Sequence, residues 1–230
     1  CATASQMFHV PVVKHGINGE LRQKGKIAEL ALGYGGSIGA LKAMGATKLG
    51  LTDDELPPLV QMWRNASPHI VQFWWDVDKA AKECIKTHLP QTTHGMKFIY
   101  RSGCMFLRLR SGRYLCYPQP KIGINRFGSE LITFMGINTV KKWDWIETYG
   151  AKLAENIVQA TSRDLLAEAM RRLEAADNPV VMHIHDEAVI DAPADRSLDT
   201  IVQLMTKVPD WANGLILNAA GFVSDFYKKD

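Results

Sequence analysis

Apolar positions recur at helical spacing from the first residues onward, with Ala2, Ala4 and Met7 already in phase and no capping residue ahead of them. A helix over 1–8 that is entered from its middle is the expectation, as in a chain cut inside a longer helix. A loop with His15, Gly16, Asn18 and Gly19 follows, and the next periodic run predicts a helix over 20–32 that ends in Gly33, Gly35 and Gly36. A shorter helix is expected over 38–44. Thr52 and Glu55 have the spacing of a capping box before the run through Val60, Met62 and Trp63, with Pro57 and Pro58 confined to its first turn. Ser67 is placed to cap a long helix whose first residue is Pro68 and which reaches about residue 88 before Pro90 stops it.

From about 95 to 135 the period shifts towards two, in KFIYRSG, MFLRLRSGRYLCY and ELITFMG. Ser-Gly pairs at 102 and 111 mark turns between short antiparallel strands. A helical pattern returns over 147–175 and stops at Asn178-Pro179. VVMHIHDEAVIDAP then reads as two strands around a tight turn, followed by a helix over 197–208 and a last strand over 215–217. The fold class is α+β: a helical first domain, 1–146, with a β-rich segment at about 95–135, and a second α+β domain, 147–230.

Composition narrows the class without naming a function. The chain has 230 residues, 47% hydrophobic and 22% charged, which excludes disordered, collagenous and disulfide-scaffold proteins. No apolar stretch approaches the roughly 20 residues of a membrane span, and the start lacks a signal peptide's pattern. A soluble, cytoplasmic protein without membrane partners is expected, with its four cysteines reduced, because they form no CxxC pair or Cys/His ligand spacing.

Charge is uneven along the chain. Residues 84–129 contain no acid, whereas Lys86, Lys97, Arg101, Arg108, Arg110, Arg113, Lys121 and Arg126 supply eight positive charges. The overall net charge is +3, so the rest of the chain carries −5. Tyr100, Phe106, Tyr114, Tyr117 and Phe127 are interleaved with the cations, a mixture suited to phosphates and bases. The alternative is a β-rich segment with one basic, solvated face.

The run LRQKGKIAELALGYGG holds the first candidate site. Arg22, Lys26, Leu30 and Tyr34 recur every four residues, each displaced by only ~40° around the helix, and form one stripe ~18 Å long. Two cations followed by an apolar and an aromatic residue can lie along a nucleoside triphosphate, phosphates against Arg22 and Lys26 and sugar and base against Leu30 and Tyr34. The competing account is an amphipathic helix whose Leu30 and Tyr34 face the core. The glycines that follow have the spacing GxGxxxG after a helix, which does not fit a dinucleotide fingerprint, whereas Gly35 and Gly36 suit a hinge.

The second candidate is His185-Asp186-Glu187 at the turn between the two late strands, where carboxylates on a stiff hairpin can hold a hard divalent cation. The third is Gln159 with Arg163, an amide and a guanidinium one helical turn apart, suited to a base edge or sugar.

Together these segments resemble family A DNA polymerases. Arg22-x3-Lys26-x7-Tyr34-Gly35 is similar to that family's finger-helix motif, RxxxKxxNFGxxYG. His-Asp-Glu at 185–187 is similar to its second palm motif, QATSRDLLAEAM to its palm-helix segment, and SGRYLCYP to the stretch between fingers and palm. Order and separation match over nearly the whole chain, and LALGYGG with ETYGAKLAENIVQA has a phage or prophage style. The resemblance implies a helical fingers subdomain over 1–146 and the C-terminal part of a palm over 147–230. It implies that Arg22, Lys26, Leu30 and Tyr34 bind the incoming dNTP and that Asp186 binds magnesium. Glu187 would assist beside the metal and His185 would approach the primer terminus. Gln159 and Arg163 would contact primer-template DNA, with Arg108, Arg110 and Arg113 of the basic segment as further DNA contacts. Two Mg²⁺ ions would serve in-line attack of a primer 3′-hydroxyl on the α-phosphate.

Departures from the family carry equal weight. Glu29, Leu30 and Ala31 stand where the motif has Asn, Phe and Gly, which puts sugar selection by an aromatic ring in question. No DxSxxExR-type segment, the source of the family's other metal-binding aspartate, occurs in the 230 residues. The expectation is a C-terminal polymerase fragment that is inactive by itself, with an N-terminal part carrying the missing aspartate as partner. Apolar faces left by absent domains would favour a homodimer. The alternative is a non-catalytic, nucleic-acid-binding remnant.

Overall fold

The computed structural model describes residues 1–125, 128–193 and 195–228, and of Leu49 only the backbone. Arg126 and Phe127, two members of the basic and aromatic segment, lie outside the described residues. The fold is mixed α+β. Helices α1 (Ala2–Phe8), α2 (Leu21–Leu32), α3 (Ile38–Ala43), α4 (Leu56–Ala66) and α5 (Pro68–Thr87) come first. Seven strands follow: β1 (Gln91–Thr93), β2 (Met96–Arg101), β3 (Cys104–Arg108), β4 (Tyr114–Pro118), β5 (Lys121–Ile124), β6 (Glu130–Ile137) and β7 (Trp143–Thr148). The long helix α6 (Gly150–Ala175), strands β8 (Val180–Ile184) and β9 (Glu187–Ile190), and helix α7 (Leu198–Thr206) complete it. The sheets have the orders β1-β2-β3-β4, β5-β6-β7 and β8-β9.

Two compact units result, Cys1–Leu107 with Cys116–Asn156, and Arg108–Leu115 with Ile157–Asp230. In the first, α1 to α4 close around Met7, Leu32, Leu41, Leu56 and Trp63, all buried. Trp63 is 0% exposed and stacks on Trp74, ring centroids 5.7 Å apart. Helix α1 can lie close to α2 because Gly25 has no side chain: a Cβ there would sit 2.6 Å from that of Ala4. In the second unit Ile157, Ala160, Leu166, Ala169 and Leu173 form the buried stripe of α6, joined by Leu109 and Ala212 in the unit's buried set.

Local signals set several boundaries. The Thr52 amide donates to Glu55 Oε2 at 2.8 Å, closing the capping box ahead of α4. Ser67 precedes α5 but makes no side-chain capping bond, since its φ of −127° and ψ of 51° leave the extended geometry that aims the hydroxyl at the helix amides. The helix expected from 147 begins instead at Gly150. Trp143–Thr148 is taken by pairing with β6, and the Gly150 amide donates to Asp78 Oδ1 at 2.9 Å, so a residue on α5 starts α6. No strand forms at 215–217. Ile216 is 85% exposed there, and β8 and β9 pair only with each other, so the alternating residues have no ladder to join.

Gly35 has φ +80°, and a Cβ on it would overlap that of Ala151. A Gly36 Cβ would enter the Ala31 carbonyl oxygen. At both positions a side chain would not fit. Gly35→Ala should destabilise the first unit by about 2–4 kcal/mol in urea unfolding, combining left-handed strain with overpacking. Adding Ala151→Gly should recover the overpacking share alone.

Candidate functional site

Helix α2 separates its faces cleanly. Gly25, Ile27, Ala28, Ala31 and Leu32 are buried, while Lys26 and Glu29 are exposed and Arg22 half-buried. Leu30 is 56% exposed and lies on the same side as the two cations. Leu30 thus stands outside the buried apolar stripe of the helix, beside the two cations. Arg22, Lys26 and Leu30 line an open cavity of about 270 Å³ together with Gly25, Glu29, Thr3 and Cys1. Tyr34 is not among its lining residues. The helix stops at Leu32, two residues before Tyr34, and the row that lines the cavity is Arg22, Lys26 and Leu30.

Glu29 is a functional candidate that spacing alone overlooked. Its Oε2 accepts hydrogen bonds from Thr3 Oγ1 at 3.0 Å and from the buried Trp63 Nε1 at 3.1 Å. The carboxylate is thereby fixed on the cavity wall one turn from Lys26. Its place at i+3 from Lys26 and i+7 from Arg22 was a legible signal; its two anchors, 26 and 34 residues away, were not.

The basic segment does not act as one set. Lys86 Nζ is paired with Glu130 at 2.8 Å, a hydrogen bond that holds the Glu130 carboxyl below the ordinary range. Arg113 Nε pairs with Asp164 Oδ1 at 2.5 Å and its Nη2 donates to the Ala160 carbonyl at 2.8 Å, while Ser111 Oγ donates to Asp164 Oδ2. Arg113 is thus committed to holding the 108–115 turn on α6. Lys97 and Arg101 are exposed on the first unit, and Arg108 and Arg110 on the second.

Gln159 and Arg163 are both exposed, four residues apart on α6. His185, Asp186 and Glu187 are exposed as well, His185 with φ 52° in the turn and Glu187 opposite Ile184 where β8 pairs with β9. Asp186 and Glu187 offer the oxygen donors that magnesium takes. Among the described residues, however, no group of three or more His, Cys, Asp or Glu could hold a metal ion. The donor set is of the right chemistry and incomplete, so no reaction step through a metal follows from these residues.

Among the described residues no helix is long and apolar enough to cross a membrane. No family model matches the sequence. The chain is similar to the DNA polymerase of Bacillus phage SP02, with 50% identity over 232 aligned residues. That alignment takes in the whole of this chain and 36% of the phage protein, so the chain spans about a third of the length of the curated relative it matches.

Proposed function

We propose that this chain carries the nucleotide-binding helix and part of the catalytic palm of a family A, template-directed DNA polymerase. The observation that carries the reading is the row Arg22, Lys26 and Leu30 along one cavity of α2, with Lys26 and Leu30 exposed. The similarity to a phage DNA polymerase supports it. In this reading Arg22 and Lys26 hold the triphosphate of an incoming dNTP by charge-assisted hydrogen bonds. Leu30 contacts the sugar, and Tyr34 lies beyond the helix end towards the base. Gly35 and Gly36 would serve as the hinge at the helix end. Gln159 and Arg163 contact primer-template DNA, joined by Arg108 and Arg110.

Asp186, with Glu187 and His185 beside it, supplies one side of a magnesium site, and the remaining aspartate comes from the rest of the polymerase. When bound, magnesium would neutralise charge on the transferred phosphates. The exposed apolar residues of the second unit fit this reading. Val181, Ile216, Val223 and Phe226 are 62%, 85%, 81% and 71% exposed, and the rest of the polymerase would cover them. Such a protein would act in the cytoplasm of a bacterial host.

One preparation tests both halves of the reading. The purified 230-residue chain should bind dNTP, measured by titration calorimetry, and should give no magnesium-dependent primer extension. Extension by the chain alone would contradict the incomplete metal site. DNA binding without any dNTP binding would contradict the polymerase reading and favour a nucleic-acid-binding remnant.

A further inference from the structure

The sheet β5-β6-β7 exposes an aromatic and basic surface that uses none of the residues lining the α2 cavity. Antiparallel register sets Trp143 opposite Ile137 and Trp145 opposite Met135. Strand alternation puts these four side chains on one face. Trp143 is 61% and Trp145 42% exposed, and Ile137 and Val140 beside them are each 68% exposed. On the opposite face Ile132 and Thr148 are buried and Phe134 meets the Tyr117 ring edge-on at 5.1 Å.

Cations surround the rings. Lys121 is opposite Thr133 on the neighbouring strand, with its ammonium 4.3 Å from the centre of the Trp145 ring. Lys141 and Lys142 are exposed in the turn between β6 and β7. That turn is tied down by Asn138, whose Oδ1 accepts the amides of Val140 and Lys142 at 3.1 and 3.0 Å. Of the nearby acids, Asp144 alternates to the other face and accepts the Trp145 amide, while Glu147 shares the aromatic face further along the strand. The end of the sheet that carries Trp143 is therefore net positive.

Two rings two residues apart on a strand are ~6.8 Å apart, twice the ~3.4 Å rise between stacked bases, which leaves room for a base plane on or between them. Stacking of this kind accepts any base, and flanking lysines follow the phosphates. A protein-binding core would be depleted in lysine, whereas here three lysines frame the rings. We propose that Trp143 and Trp145, framed by Lys121, Lys141 and Lys142, form a stacking platform for single-stranded DNA. The proposal rests on the polymerase reading only in taking the strand to be DNA.

Fluorescence anisotropy of a labelled oligothymidylate tests it, with dNTP titration of the same samples as the separate readout for the α2 cavity. Trp143→Ala with Trp145→Ala should weaken oligonucleotide binding about 30-fold while dNTP affinity and circular dichroism stay unchanged. Trp143→Phe with Trp145→Phe keeps a stacking ring at each place and should restore most of the affinity. Lys141→Ala with Lys142→Ala should lower the salt slope by about 1.4. Unchanged oligonucleotide affinity in the double alanine variant would overturn the proposal, as would a wild-type chain that binds no oligothymidylate. If the variant instead loses self-association with DNA affinity intact, the face belongs to a second copy of the chain and the proposal also falls. Loss of dNTP binding in the wild type would count against the polymerase reading and leave the platform standing.

Discussion

Replacing Trp63 with alanine is expected to destabilise the first unit by about 3–5 kcal/mol, a large share of the ~5–15 kcal/mol that holds a typical domain folded. Trp63 is wholly buried, stacks on Trp74 and packs among Leu32, Leu41, Leu56 and Leu59. Removal leaves a cavity among helices that are already closely packed. It also removes the indole N–H from Glu29. Trp63→Phe separates the two effects, because it keeps most of the ring volume and loses the hydrogen bond, at a cost nearer ~1–2 kcal/mol. Urea unfolding followed by near-ultraviolet circular dichroism reads both variants. A Trp63→Ala protein as stable as the wild type would contradict the core described for α1 to α4.

Boundaries governed by neighbouring residues were legible: the Thr52–Glu55 box, the glycines after α2, and the Ser102-Gly103 turn, whose φ values of 51° and 74° match a tight hairpin. Boundaries governed by distant residues were not. Nothing within the run WDWIETYGAKL marks Gly150 as the start of α6, because the acceptor for its amide is Asp78, 72 residues away. The consequence reached further than one boundary. No element was expected over 136–146, and the helix expected from 147 took the last two residues of β7, so the alternation of Trp143 and Trp145 on one sheet face stayed out of view.

Among the candidate site residues, Arg22, Lys26 and Leu30 share one face because helical spacing alone puts them there, and the structure adds that Leu30 on that face is exposed. Tyr34 required knowledge of where the helix ends. Arg113 was indistinguishable in sequence from Arg108 and Arg110. Its commitment depends on Asp164, 51 residues later, whose carboxylate also takes the Ser111 hydroxyl. Glu29, a departure from the motif, is also a fixed carboxylate in the cavity wall, held from α1 and α4.

The largest effect on function is expected from Arg22→Ala combined with Lys26→Ala. Each side chain would give the triphosphate at least one charge-assisted hydrogen bond, worth about 1.5–3 kcal/mol where the partner would otherwise stay unpaired. Two such losses correspond to a fall in affinity of about 10²- to 10⁴-fold. The cost to folding should be small, since Lys26 is exposed and Arg22 only half-buried. Leu30→Ala in the same helix should weaken binding far less, because it removes apolar contact and no charge. Titration calorimetry of dNTP into the wild-type chain and the double variant is the direct measurement. Micromolar-range binding that falls by at least 10²-fold in the double variant, with an unchanged circular dichroism spectrum, is the expected result. Equal dNTP affinity in the two proteins would contradict the assignment of the α2 cavity as the nucleotide site.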